Sequence, residues 1–253
     1  MKPKGLESSI VWAVGAPWEI NRLTLPVSTN STRTRISDLY TKSGGQAGYG
    51  TLFALSPDHE IGYSVLVAGP AALQDRWTLR AIAGQSFVVA AEHAGRETAA
   101  MNFAGTFIDP TNSTTNLTLS IAEDRPALNL DSLYVLGFDV RFAVYSPDAA
   151  TLPPQNLTVQ LYPTNLNSRY ANGSQLLTYR GVGGLTPAPP RALIDGGSTL
   201  FDDSCISWFN TAFNEDTITD TGEFYDTFLL VVEDGKLIKV ILPSVNVTME
   251  RVA

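Results

Sequence analysis

The chain has 253 residues, 44% of them apolar, and a formal net charge of −8 from 25 acids and 17 bases. That length holds one large domain or two ordinary ones, and that composition excludes global disorder. No block of lysine or arginine offers a phosphate-binding patch, so nucleic acid is excluded as a partner, and no apolar run reaches the roughly 20 residues of a membrane-spanning helix.

The first residues, MKPKGLESSIVWAVGAPWEI, place Lys2 and Lys4 before a short apolar run from Ile10. Trp18 and Glu19 follow too soon for a signal peptide, so the run reads as a strand of the fold, with any export signal upstream. Residues 9–25 predict one or two strands broken near Gly15-Ala16-Pro17, and 26–36 are turn-rich. Residues 37–43 predict a strand that leads into Lys42. Residues 47–56 and 61–68 predict an antiparallel pair across Ser-Pro-Asp-His-Glu. From Pro70 to Asn102 the chain is alanine-rich, and Leu73, Trp77, Ala81, Val88, Ala91 and Gly95 recur at helical spacing. Gly84 marks a break between two helices.

After Asn102 short β-like runs follow at 116–122, 139–146, 156–162, 175–181, 226–232, 236–242 and 245–251. Asp234-Gly235 between apolar runs is a hairpin signal, and GVGGLTPAPP (181–190) reads as a long loop. This half predicts an all-β sandwich or barrel, and the boundary falls near residues 101–105.

Lys42, Ser43, Gly44 and Gly45 combine an ammonium that can stabilise negative charge, a hydroxyl that can bond a carboxylate, and glycines that let a ligand lie against the strand. By itself the tripeptide reads rather as a surface lysine before a Gly-Gly turn. In context, KSGGQAGYGTLFALSPDHEIGYSVLVAG resembles the Lys-[Ser/Thr]-Gly strand region of serine β-lactamases and penicillin-binding proteins of the class C-like kind. The segments PWEI, NFAGTF, LYPTNL and DGGSTLFDDSCISWF are similar to fungal secreted β-lactamase-like proteins. The resemblance implies an α+β chain. Residues 1–102 would be a partial antiparallel sheet with the C-terminal helices of the serine β-lactamase fold, and 103–253 an appended all-β domain, a barrel or a sandwich, lipocalin-like in one form. It implies that Lys42 is the lysine of the third active-site motif and that Ser43 bonds a substrate carboxylate or carbonyl. The Gly45 N–H would then be half of an oxyanion hole, with Gly44 beside it.

The family's nucleophile motif, Ser-x-x-Lys, is absent: none of Lys2, Lys4, Lys42, Lys236 and Lys239 has a serine three residues before it. Tyr170-Ala171-Asn172 and Ser28-Thr29-Asn30 match the second motif only in composition, and both are badly placed. The chain therefore reads as the C-terminal part of a secreted hydrolase, inactive alone. Its expected partners are the missing N-terminal half and, once completed, a small acyl substrate. The other reading is a non-catalytic binding or accessory module based on the β-rich half. Ala-Leu-Ile-Asp195-Gly-Gly-Ser has the shape of an aspartic protease loop, but its only mate, Asp220-Thr221-Gly222, lies too close to belong to a second lobe.

A lone cysteine, Cys205, excludes an internal disulfide and thiolate clusters, and two histidines, His59 and His93, leave no basis for a metal site. No cofactor is expected. His59 falls in a turn, His93 in a helix, and the sequence pairs neither. Six Asn-x-Ser/Thr sequons, at Asn30, Asn112, Asn116, Asn156, Asn172 and Asn246, point, for a eukaryotic source, to a secreted or surface glycoprotein.

Overall fold

A computed structural model describes residues 5–6, 11–28, 31, 33–145, 157–185 and 222–252. The chain divides into two compact units, Met1–Thr98 with Glu123–Arg125, and Ala99–Ala122 with Pro126–Ala253.

The first unit is a six-stranded antiparallel meander in sequence order: β1 (Gly5–Leu6), β2 (Trp12–Val14), β3 (Glu19–Pro26), β4 (Thr34–Gln46), β5 (Tyr49–Ser56) and β6 (Ile61–Ala68). Period-two alternation gives each strand two faces. Leu25, Leu39, Leu52, Ala54 and Val65 are buried on one of them, against Trp77 and Val88 of helix α1 (Ala72–Asn102). The other face carries Ile20, Tyr40, Leu55, Phe53 and Leu66. Gly48, at φ +82°, turns β4 into β5.

The two helices expected over residues 70–102 are one. Helix α1 runs 31 residues through Gly84 without a break. A Cβ at Gly84 would lie 2.9 Å from the Tyr63 hydroxyl, which donates to the Arg80 carbonyl, so the glycine serves the approach of helix to sheet.

The second unit holds β7 (Gly105–Asp109), β8 (Asn112–Ser120), β9 (Leu128–Val135), β10 (Phe138–Asp139), helix α2 (Arg141–Tyr145), β11 (Leu157–Arg169), β12 (Gln175–Leu185), β13 (Thr227–Glu233), β14 (Lys236–Leu242) and β15 (Val247–Arg251). The order β9-β11-β12-β13-β14-β15-β7-β8 closes on itself through β8–β9, all antiparallel, which leaves the barrel without a free edge. β10 is a two-residue hairpin strand on β9. Asp234 and Gly235 both have positive φ, as a type I′ turn between β13 and β14 requires.

The interior is filled by side chains, among them Phe107, Leu117, Leu161, Phe228, Leu230 and Met249. Residues 139–146, expected as a strand, contain α2 instead. The Asp139 carboxylate accepts from the Arg141 backbone N–H at 3.1 Å and from its guanidinium Nη2 at 2.7 Å, fixing the helix start. Tyr145 at its end packs on β12, where Gly181 and Gly183 stand in a strand rather than the expected loop. A Cβ at Gly183 would lie 2.7 Å from the Tyr145 Cβ. Arg251 donates from Nη2 to the Asn102 carbonyl at 2.8 Å and from Nη1 to the Ala104 carbonyl at 2.8 Å, satisfying backbone acceptors at the end of α1.

The α+β assignment, a partial sheet with the C-terminal helices of the serine β-lactamase fold, is therefore corrected. The described chain is mostly β, with a six-stranded meander, a closed eight-stranded barrel and only two α-helices among the described residues. The α+β class followed from the resemblance: the helices it implied reduce to α1 in the first unit, unbroken at Gly84, and the unit after it, expected as an all-β barrel or sandwich, is a closed barrel.

Candidate functional site

β3 ends its pairing at Glu19↔Thr41, while β4 runs on to Gln46. Residues 42–46 therefore have β5 on one side and no β3 residue on the other. Lys42 lies at the start of this stretch with its side chain 48% exposed, and Ser43 follows on the opposite face. Lys42 Nζ reaches round the strand edge to Glu19 Oε1 at 2.6 Å and also donates to its neighbour's carbonyl, Ser43 O, at 2.9 Å. The Ser43 hydroxyl lies 3.0 and 3.1 Å from the two oxygens of the same carboxylate. Burial opposes ionisation of Glu19, but the hydrogen bonds from Lys42 and Ser43 and the Lys42 charge outweigh it and hold its pKa below the ordinary value. Thr41 Oγ1 anchors the start of β3 by donating to the Glu19 carbonyl at 2.8 Å.

The glycines have neighbours that the sequence did not suggest. A Cβ at Gly45 would overlap Leu73 and Arg76 of α1, and one at Gly50 would overlap the Ala72 carbonyl. Arg76 donates to the Gly44 carbonyl and lies 4.7 Å over the Trp77 ring. Sequence reasoning passed over both Glu19 and Arg76. Glu19 was legible only as the carboxylate of Pro-Trp-Glu-Ile, with nothing to show that β3 begins beside Lys42.

A second cluster joins β4, the β5–β6 turn and α1. Arg35 donates from Nε to Glu92 Oε1 at 2.9 Å and from Nη2 to Oε2 at 2.5 Å, and pairs with Asp58 at 3.1 Å. His59 Nε2 lies 2.7 Å from Glu92 Oε2 and His59 Nδ1 lies 2.6 Å from Ser56 Oγ. Glu92 accepts only, so Nε2 carries the proton between them. Burial pushes the Glu92 pKa up, but the bonds from Arg35 and His59 pull it further down, to a net value below the ordinary one. Serine, imidazole and carboxylate in a row have the composition of a hydrolytic triad. Ser56 is only 2% exposed, however, so no carbonyl reaches its oxygen, and the cluster is a polar staple. His59, which the sequence left unpaired, gains its partners only through the fold.

Of the sequons, Asn172 and Asn246 lie exposed in turns, and Asn112 and Asn116 are half-buried. The Asn116 amide donates to the Ser113 carbonyl at 3.1 Å. Asn30 and Asn156 lie outside the described residues, as do Cys205, Asp195 and Asp220. Among the described residues no helix is long and apolar enough to cross a membrane, and no group of three His, Cys, Asp or Glu side chains is placed to hold a metal.

The family model described as "Beta-lactamase-like-like, C-terminal domain" matches residues 95–253. No curated protein matches the chain. Among solved structures, the octameric penicillin-binding protein homologue from Pyrococcus abyssi aligns over 84% of this chain and 33% of its own, with 14% identity and a TM-score of 0.27. The chain thus spans about a third of that protein's length, and so distant a likeness assigns no residue a role.

Proposed function

The chain belongs to the family of beta-lactamase-like-like C-terminal domains, and from that premise we propose that it is the C-terminal part of a secreted serine β-lactamase-like hydrolase. Its first unit supplies Lys42 and Ser43 as one wall of an acyl-transfer site, and the nucleophile comes from a Ser-x-x-Lys segment outside this sequence. The observation that carries the reading is the pair itself. An ammonium and a hydroxyl stand side by side where β4 has no β3 partner, both within hydrogen-bond distance of one carboxylate. That arrangement suits an anionic or developing-anionic acyl group. We infer that the chain alone is inactive: it holds no Ser-x-x-Lys motif, and Ser56, the one serine bonded to a histidine among the described residues, is buried.

The exposed sequons at Asn172 and Asn246 support passage through a secretory route. The packed barrel interior gives no support to the alternative of a lipocalin-like binding module, which needs a hollow.

The test has two arms. The purified chain is treated with a fluorophosphonate and a labelled penicillin, and no serine takes up label. A Ser-x-x-Lys-bearing N-terminal segment is then supplied in trans, and ester or β-lactam hydrolysis appears that Lys42→Ala abolishes. Stoichiometric labelling of the chain alone, or restored hydrolysis indifferent to Lys42→Ala, overturns the proposal.

A further inference from the structure

We propose that Lys42 and Ser43 form a carboxylate-binding site that Glu19 fills from within the chain, so that an external monocarboxylate enters only by displacing the Glu19 side chain. The inference rests on the reading of Lys42 and Ser43 as a substrate wall and adds the group that controls access to it.

Both polar side chains of the wall converge on Glu19: Lys42 Nζ at 2.6 Å, and the Ser43 hydroxyl at 3.0 and 3.1 Å from its two oxygens. A charged donor and a neutral one on a single carboxylate make a receptor for R–COO⁻ of any R, since neither contact involves the rest of the glutamate. Glu19 is held there by its backbone. It is the first residue of β3, in register with Thr41, and Thr41 Oγ1 fixes its carbonyl at 2.8 Å. Its side chain thus lies at the mouth of the stretch of β4 that β3 leaves uncovered.

The contact can open. Lys42 is 48% and Glu19 34% exposed at the side chain, so water and small solutes reach both partners. Such a half-exposed pair is weak against competing water. Its advantage over a free ligand is that Glu19 is tethered. A group on a short tether competes as though present at millimolar concentration or above, which masks the site from dilute carboxylates. Removing the carboxylate while keeping Lys42 and Ser43 unmasks it.

The experiment uses the full chain labelled with ¹⁵N and titrated with sodium acetate, against sodium chloride at equal ionic strength. In Glu19→Ala, the amides of Ser43, Gly44 and Gly45 shift saturably, with at least a tenfold lower midpoint than in the unaltered chain. Adding Lys42→Met to Glu19→Ala removes the response. Glu19→Gln keeps the side-chain length without the charge and gives the same lowered midpoint, should the alanine variant fold poorly. Equal midpoints in the unaltered and Glu19 variants, absence of saturation in both variants, or a response that survives Lys42→Met overturns the inference. The outcome is separable from the hydrolase reading. Hydrolysis restored in trans without unmasked acetate binding sinks only the role of Glu19, and unmasked binding without any restored hydrolysis sinks only the hydrolase.

Discussion

Replacing Glu92 by glutamine cuts the staple of the first unit at its centre while conserving volume. In the unaltered chain the carboxylate takes two bonds from Arg35, at 2.9 and 2.5 Å, and one from His59 at 2.7 Å, with the glutamate side chain only 11% exposed. Glutamine keeps one acceptor oxygen but turns an NH₂ group toward a donor, and it leaves the Arg35 charge with only the half-exposed Asp58, at 3.1 Å. Charge-assisted hydrogen bonds contribute about 1.5–3 kcal/mol each, and breaking a fully buried pair costs about 3–5 kcal/mol. Arg35 is 25% exposed and keeps one partner, so the expected loss is about 2–3 kcal/mol, below the fully buried case.

The pH dependence gives the sharper test. The Glu92 pKa is lower in the folded state than in the unfolded chain, so its contribution is fully present above the ordinary glutamate pKa. It is lost as pH falls through the folded value. Urea unfolding followed by tryptophan fluorescence, at neutral pH and in steps into the acid range, should show the two proteins separated at neutral pH and converging in acid. A difference under about 0.5 kcal/mol at neutral pH, or one that does not shrink with acidification, would refute the reasoning, because surface substitutions alone stay within that range.

Three further outcomes are expected. Gly183→Ala places a methyl 2.7 Å from the Tyr145 Cβ and 2.8 Å from its carbonyl oxygen, neither of which is the end of a flexible side chain. It should destabilise the barrel by about 1–3 kcal/mol in thermal or urea melts, and an unchanged melt would mean that α2 does not seat on β12. Leu66 is 77% and Tyr49 64% exposed, on the same sheet face as Phe53. Such apolar area drives association, so Leu66→Lys should lower hydrophobic-dye binding and self-association by light scattering while changing stability by less than about 0.5 kcal/mol; a parent chain that is monomeric and dye-negative contradicts this. Expressed through a eukaryotic secretory pathway, the chain should carry glycan at Asn172 and Asn246 more fully than at Asn116, whose amide is already bonded to the Ser113 carbonyl. Glycopeptide mass spectrometry reads the occupancy, and full occupancy at Asn116 alone would reverse the ranking.

By itself the sequence determined what local chemistry controls. Asp234-Gly235 specified a turn with two positive φ angles, and the apolar runs on either side became β13 and β14. Pro57-Asp58 likewise set β5 against β6. Lys42 and Ser43 were visible as candidates because their chemistry is in their side chains.

Where local alternation broke, the sequence was silent. β9 went unread because its inward residues run Leu128, Leu130, Leu133, and the step of three marks a register shift opposite Thr118–Leu119. Glycines were ambiguous in the same way. Gly84 and Gly183 look like punctuation in one dimension, and each proves to be the spot where another element comes within 3 Å of a Cβ position. Tertiary structure alone decided the rest: that the strands close into a barrel, that Glu19 meets Lys42 and Ser43 from 23 and 24 positions away, and that Arg35, His59 and Glu92 assemble across up to 57. The physical reason is common to all three. A hydrogen bond or ion pair between distant residues leaves no periodicity in the sequence, because its partners are brought together by burial elsewhere in the sheet and helix that carry them.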